Sequence, residues 1–119
     1  MTATRRADFM RALEAGVEAN RELRKTLQWG ERQTRRILRE METGSSLAEI
    51  AEHIDLGGIR ERITEALNQL ERTRHAVRVT SYAMAQEEQL SIGYLSGVWG
   101  ISRQRGQQYA HEARDGARP

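Results

Sequence analysis

At 119 residues, of which 38% are hydrophobic, 30% charged and 5% aromatic, the chain has room for one compact domain or for one small module on an extended helix, and none for a large core. Its single proline is the last residue, and strand-forming runs of Val, Ile, Thr and aromatics are missing, which disfavours a sandwich or barrel and points to an all-α fold. Having no cysteine, the chain holds no disulfide scaffold, thiolate zinc site, iron–sulfur cluster or cysteine nucleophile, and its net charge of +2 hides a strong segregation of sign.

All but one of the 19 basic residues are arginine, the side chain suited to phosphate and carboxylate forks. From Arg5 to Arg39 basic residues outnumber the acids Asp8, Glu14, Glu18, Glu22 and Glu31. From Glu40 to Glu71 carboxylates outnumber Arg60 and Arg62, and Arg72, Arg74 and Arg78 turn the sign again. The alternation fits helices that pair with each other. Solvated helix faces in an arginine-rich chain look the same, so charge alone does not establish a nucleic-acid surface.

Apolar residues of the first third recur at Phe9, Leu13, Val17, Leu23, Leu27, Ile37 and Met41, with a heptad seam expected through Leu23, Leu27, Ile37 and Met41. One helix or two can carry this pattern, Gly30 being the natural place for a kink or break. Thr43-Gly44-Ser45-Ser46 joins a C-cap glycine to an N-cap serine, and Glu49 completes a capping box for a short helix over Leu47 to Ile54. Asp55-Leu56-Gly57-Gly58 punctuates. A long helix is expected from Ile59 to about Glu88, with Ile63, Leu70, Val77 and Met84 at an unbroken spacing of seven and Ala66, Thr73 and Thr80 in the other seam positions. The first long helix is expected to fold back on this one as an antiparallel, coiled-coil-like hairpin over residues 1–88, serving as a dimerisation region; Leu23, Leu27, Ile37, Ile63, Leu70, Val77 and Met84 are its core and dimer candidates.

The last third breaks the pattern. Ser91 reads as the N-cap of a short helix to Trp99 with Ile92, Leu95 and Trp99 on one face. Gly100 suits a left-handed turn, Ile101 points to the core, and Ser102 caps a second helix from Arg103 to about Ala113. Helix, three-residue turn opening on glycine, capped helix is the spacing of a helix-turn-helix.

The run Leu90-Ser91-Ile92-Gly93-Tyr94-Leu95-Ser96-Gly97-Val98-Trp99-Gly100-Ile101-Ser102-Arg103-Gln104 resembles the helix-turn-helix of bacterial transcriptional regulators, particularly the actinobacterial type whose turn reads Gly-Val-Ser-Arg-Gln. The resemblance is confined to about residues 89–113, leaving 114–119 as an expected flexible tail. It implies a recognition helix starting at Ser102, with Ser91, Ser102, Arg103, Gln104, Arg105, Gln107, Gln108 and Tyr109 as DNA-binding candidates. In the major groove arginine can grip guanine and glutamine adenine, and Ser102 with the helix N-terminus can hold a phosphate. Ser96 falls where the family wants a small residue for a close crossing. Gly106 departs from the usual buried aliphatic or alanine and Ala110 from a larger anchor, so the helix is expected to pack loosely until bound, with Tyr109 either taking over the anchoring or reaching phosphate. Ser46 to Ile54 faintly echoes the first helix of the motif, but an acidic stretch follows it, so it reads as a capped connector.

Other chemistry is thin. His53, His75 and His111 have no partner at metal-ligand spacing, Glu87 and Glu88 point to different sides of a helix, and no Ser–His–Asp pattern, phosphate-cradling glycine loop or dinucleotide fingerprint is present. Trp29 and Trp99 suit core packing better than a ligand pocket. No enzyme activity, cofactor or metal is expected. The start of the chain leads into no apolar signal core, and the uncharged stretch from Gln89 to Ser102 is broken by glycines, so no membrane segment and a cytoplasmic location are expected. The expectation for function is a dimeric, sequence-specific reader of double-stranded DNA acting in transcription. Since Arg103, Arg105, Arg114 and Arg118 offer few contacts per head, either a second head is expected to contribute or the patches at Arg32, Arg35, Arg36 and Arg39 or at Arg72, Arg74 and Arg78 are expected to touch phosphate. The alternative is a helical protein-interaction module, such as a sigma-factor, phage or plasmid adaptor, that reads no bases.

Overall fold

A computed structural model describes residues 2–116 of the chain. Five helices follow one another: α1 (Thr2–Glu42), α2 (Leu47–His53), α3 (Leu56–Glu87), α4 (Ile92–Trp99) and α5 (Arg103–Gly116), with no strand among the described residues. The all-helical class follows from the residues that are missing, since the chain has no β-branched or aromatic runs to pair as strands. No helix is long and apolar enough to cross a membrane. The chain divides into two compact units, one spanning Glu18–Glu71 and the other made of the residues up to Val17 together with those from Arg72 onward.

In the unit spanning Glu18–Glu71, α1 turns Ala19, Leu23, Thr26, Gly30, Gln33 and Ile37 inward, in alternating steps of four and three. Half of these residues, Ala19, Thr26 and Gly30, are small, which lets a neighbouring helix come close. At Gly30 an added Cβ would stand 3.0 Å from the Ile63 Cδ1 of α3. Of the two open alternatives, one helix is formed: α1 runs uninterrupted through Gly30, and the glycine is a contact point. Beside it, the Arg62 guanidinium lies 4.1 Å above the centre of the Trp29 ring. Leu27 and Met41 do not belong to the seam: they are 47% and 51% exposed, one residue past buried Thr26 and half-buried Glu40 respectively. The apolar count drew the seam to large side chains, whereas close approach selects small ones. Leu23 and Ile37 of α1, and Ile63 and Leu70 of α3, are half-buried.

The connections are built by local chemistry. Gly44, at φ 94°, ends α1, with the Ser45 amide donating to the Glu40 carbonyl at 3.0 Å. Ser46 and Glu49 exchange hydrogen bonds, the Glu49 amide donating to Ser46 Oγ at 3.1 Å and the Ser46 amide to Glu49 Oε1 at 3.0 Å. Chiefly the bond from the Ser46 amide, with the Ser46 side chain adding to it, holds the Glu49 carboxyl below its ordinary range. Ile50 and Ile54 are buried, so α2 is a capped connector with one apolar side. α3 begins at Leu56, earlier than expected, because the Asp55 carboxylate accepts the Gly58 amide at 2.9 Å and caps a first turn that contains both glycines.

His53 ties α2 to α1. Its Nε2 stands 2.5 Å from Glu40 Oε1 and its Nδ1 2.8 Å from the Glu49 carbonyl. Both partners accept hydrogen bonds, so the doubly protonated ring fits best, and the Glu40 contact chiefly raises the His53 pKa. A raised folded-state pKa stabilises fully below the unfolded value of about 6.5 and is lost as pH climbs through the folded value. Thermal melts between mildly acidic and mildly alkaline pH should show wild type outlasting His53→Gln most at the acidic end, the gap closing as pH rises. In NMR titrations, Glu40→Gln should return the His53 midpoint toward its ordinary value.

In the other unit, α3 contributes buried Thr73, Ser81, Tyr82, Ala83 and Ala85. Tyr82, Tyr109 and Ala110 form the centre of the core, with Val79, Ile92, Leu95 and Ile101 packed against it. Val77 and Met84 are half-buried, and Arg5 of α1 pairs with Glu87 of α3 at 3.5 Å. α3 ends on Gln89 at φ 61°, with the Leu90 amide donating to the Ala85 carbonyl at 2.9 Å. α5 runs on to Gly116, so 114–116 are helical where a flexible tail was expected; residues 117–119, Arg118 among them, lie outside the described residues.

Candidate nucleic-acid interface

The segment from Ser91 to Gly116 is assembled from caps. Ser91 Oγ accepts the Tyr94 amide at 3.0 Å and starts α4. Gly100, at φ 72° and ψ 33°, closes it, the Ile101 amide donating to the Ser96 carbonyl at 3.0 Å. A left-handed residue is cheap only without a Cβ, so the glycine reverses the chain here at little cost. Ile101 turns into the core, and Ser102 Oγ accepts the Arg105 amide at 3.1 Å to start α5.

α4 and α5 cross at Ser96 and Gly106, both buried. A Cβ on Gly106 would overlap Ser96 Oγ, and would stand 2.7 Å from the Tyr82 hydroxyl and 3.2 Å from Ser96 Cβ. The Tyr82 hydroxyl and Ser96 Oγ share a hydrogen bond of 2.8 Å. The expected loose packing of α5 is thus corrected. Gly106 is the close contact itself, and the volume that a larger residue at Ala110 would have supplied comes from the rings of Tyr82 and Tyr109, stacked with centroids 5.9 Å apart.

Gly106, Tyr109, Ala110 and Ala113 form the buried side of α5, at i, i+3, i+4 and i+7. The opposite side carries Gln104, Gln107, Gln108 and His111 at the same spacing, all exposed. Arg103 and Arg105, also exposed, flank this row. Arg103 turns toward Gly93 of α4, while the Arg105 guanidinium lies 5.5 Å from the centre of the Tyr109 ring. Of the candidates, Ser102, Arg103, Gln104, Arg105, Gln107 and Gln108 come together on the N-terminal half of α5. Ser91 is exposed at the start of α4, its hydroxyl engaged as a cap. Tyr109, 4% exposed, takes the anchoring role on the buried side of α5 and does not belong to the exposed row. His111 was missed; its place three residues after Gln108 and seven after Gln104 was the available signal.

Charge is polarised along α5. Its first turn holds no acid, and the helix N-terminus adds a positive field. Glu112 and Asp115 lie in the later turns, where Glu112 meets His75 at 2.5 Å and Asp115 meets His111 at 3.1 Å. Burial opposes ionisation of the Tyr109 phenol, but hydrogen bonds from Arg78 and Arg105 outweigh it and hold its pKa below the ordinary value. Beside α4, Phe9, Met84, Leu95, Val98 and Trp99 line an apolar groove of about 370 Å³, and Trp99 Nε1 donates to Ser81 Oγ at 3.0 Å.

Comparison of the chain with protein-family models, with curated proteins and with solved structures finds no match.

The crossing makes a stability prediction. Gly106→Ala should cost about 1–3 kcal/mol through overpacking, against the roughly 1 kcal/mol that alanine gains over glycine inside a helix. Ser96→Ala alone should cost about 1 kcal/mol by leaving the Tyr82 hydroxyl unpaired. The double variant should lose less than the sum, since removing Oγ makes room for the new methyl. Denaturant titration of the four proteins measures the cycle.

Proposed function

We propose that this chain is a sequence-specific DNA-binding protein, a dimeric transcriptional regulator of helix-turn-helix type whose α5 reads the major groove. The observation that carries the reading is the face of α5. Gln104, Gln107 and Gln108 stand free between Arg103 and Arg105, on a helix whose opposite side is locked by Gly106 and Tyr109. Glutamine can pair with adenine and arginine with guanine, and the acid-free first turn suits approach to a polyanion. The left-handed Gly100 and the Ser96–Gly106 crossing supply the short turn and close helix contact that such a motif needs. In this reading α1 and α3 form an antiparallel hairpin that carries the reading head and joins two copies. Exposed Leu27, Leu38 and Met41 on one stretch of α1 support self-association there.

Selection from random duplex DNA should enrich a motif with wild type. Arg103→Ala or Gln104→Ala should cost about 1–3 kcal/mol at one base pair and leave binding to random DNA nearly intact. Equal losses on selected and random duplex would remove Arg103 as a base reader. Sedimentation should show a dimer that Leu27→Glu with Leu38→Glu converts to monomer, with loss of affinity for any two-fold site. A second reading, a protein-interaction module, draws on the apolar groove beside α4, where Val98 is 64% exposed. Absence of any enriched sequence would favour it.

A further inference from the structure

Two arginines from different helices converge on one phenol. Arg78 of α3, half-buried, donates from Nη1 to the Tyr109 hydroxyl at 3.3 Å. Arg105, in the first turn of α5, holds its guanidinium 5.5 Å from the centre of the same ring. Tyr109 cannot move to relieve them, because Tyr82 stacks on it and the His75 ring lies 5.5 Å away at a tilt of 57°. The acid within this neighbourhood, Glu112, is taken by His75. By contrast, Arg5, Arg11, Arg21 and Arg35 each meet a carboxylate. No carboxylate contact is recorded for Arg78 or Arg105 among the described residues.

Like charges held at one point repel, and a phenol hydroxyl neutralises neither. An anion with several acceptor oxygens placed between the two forks would satisfy both, as arginine pairs do with phosphate. The spot lies beside exposed Arg105, which flanks the proposed reading face.

Resting on the DNA-binding reading above, we infer that Arg78 of α3, outside the helix-turn-helix, joins Arg105 in a two-guanidinium clamp for one backbone phosphate of the duplex, with the Tyr109 hydroxyl as its floor. The clamp is a register device: it grips the backbone and leaves the bases to Arg103 and the glutamines. It also selects Arg78 from the basic residues of α3 as the one that works with α5.

The test measures affinity of the full chain for its selected duplex and for a scrambled duplex, by fluorescence anisotropy over a salt series. Wild type, Arg78→Gln, Tyr109→Phe and a surface control, Arg21→Gln, are compared after melts confirm that each is folded. Arg78→Gln should weaken both duplexes equally, by about tenfold, and should reduce the slope of log affinity against log salt by about 0.9, the signature of one lost phosphate contact. Tyr109→Phe should lose less, in the same direction, and Arg21→Gln should match wild type. Unchanged affinity and slope in Arg78→Gln, with wild type still selecting its motif, overturns the clamp and spares the reader. If wild type binds no duplex at all, the reader fails and inorganic phosphate decides the clamp. Ultraviolet titration of tyrosine should then show phosphate raising the pH at which Tyr109 ionises in wild type but not in Arg78→Gln; no such rise overturns it.

Discussion

Where Ser96 meets Gly106, two helices come closer than any residue bearing a Cβ allows, and the Tyr82 hydroxyl reaches the same point from α3. Packing of the last third is organised by that contact. It lets α5 sink until Tyr109, Ala110 and Ala113 are buried, and so decides which of its residues remain outside. The hydrogen bond between Tyr82 and Ser96 also solves a polar problem, because two hydroxyls buried at a crossing would otherwise each lack a partner. A larger residue at Gly106 would push α5 away and tilt its free face, with no direct change to any exposed side chain.

The parts that were legible in the sequence are those set by neighbours along the chain. Ser46 with Glu49, Ser91, Gly100 and Ser102 are caps, and a cap is a bond between residues two or three apart, so its chemistry can be read before any fold is known. The spacing of Ile63, Leu70, Val77 and Met84 was readable for a similar reason, since large apolar residues at a fixed period have one side to hide. The buried row of α1 was harder. Ala19, Thr26 and Gly30 carry little hydrophobic signal, and their virtue is smallness, which matters only once Ile63 stands opposite.

What stayed hidden in the candidate site was tertiary in the same sense. Gly106 looked like a defect in a helix because its partner, Ser96, is met only in space. Tyr109 looked free to reach a ligand because the rings that enclose it come from Tyr82 and His75, more than a score of residues away. The start of α3 shows local chemistry competing with itself: Gly57 and Gly58 argue for a break, yet the Asp55 carboxylate binds the Gly58 amide and the helix begins there. Gln89 shows the reverse, a non-glycine accepting a left-handed conformation because the Leu90 amide still finds the Ala85 carbonyl.

The enclosure of Tyr109 has an entropic side. With its ring wedged between Tyr82 and His75, the backbone of α5 is already ordered before any partner arrives, so little freedom of main chain remains to be surrendered on association. The freedom that is left resides in Gln104, Gln107 and Gln108, long side chains with many rotamers, each of which costs about 0.5–1.5 kcal/mol to immobilise. On the proposed reading, such a surface would discriminate by which side chains settle and not by how the helix folds. A single copy of it would release its partner quickly, while two copies on one partner would hold far longer than either alone.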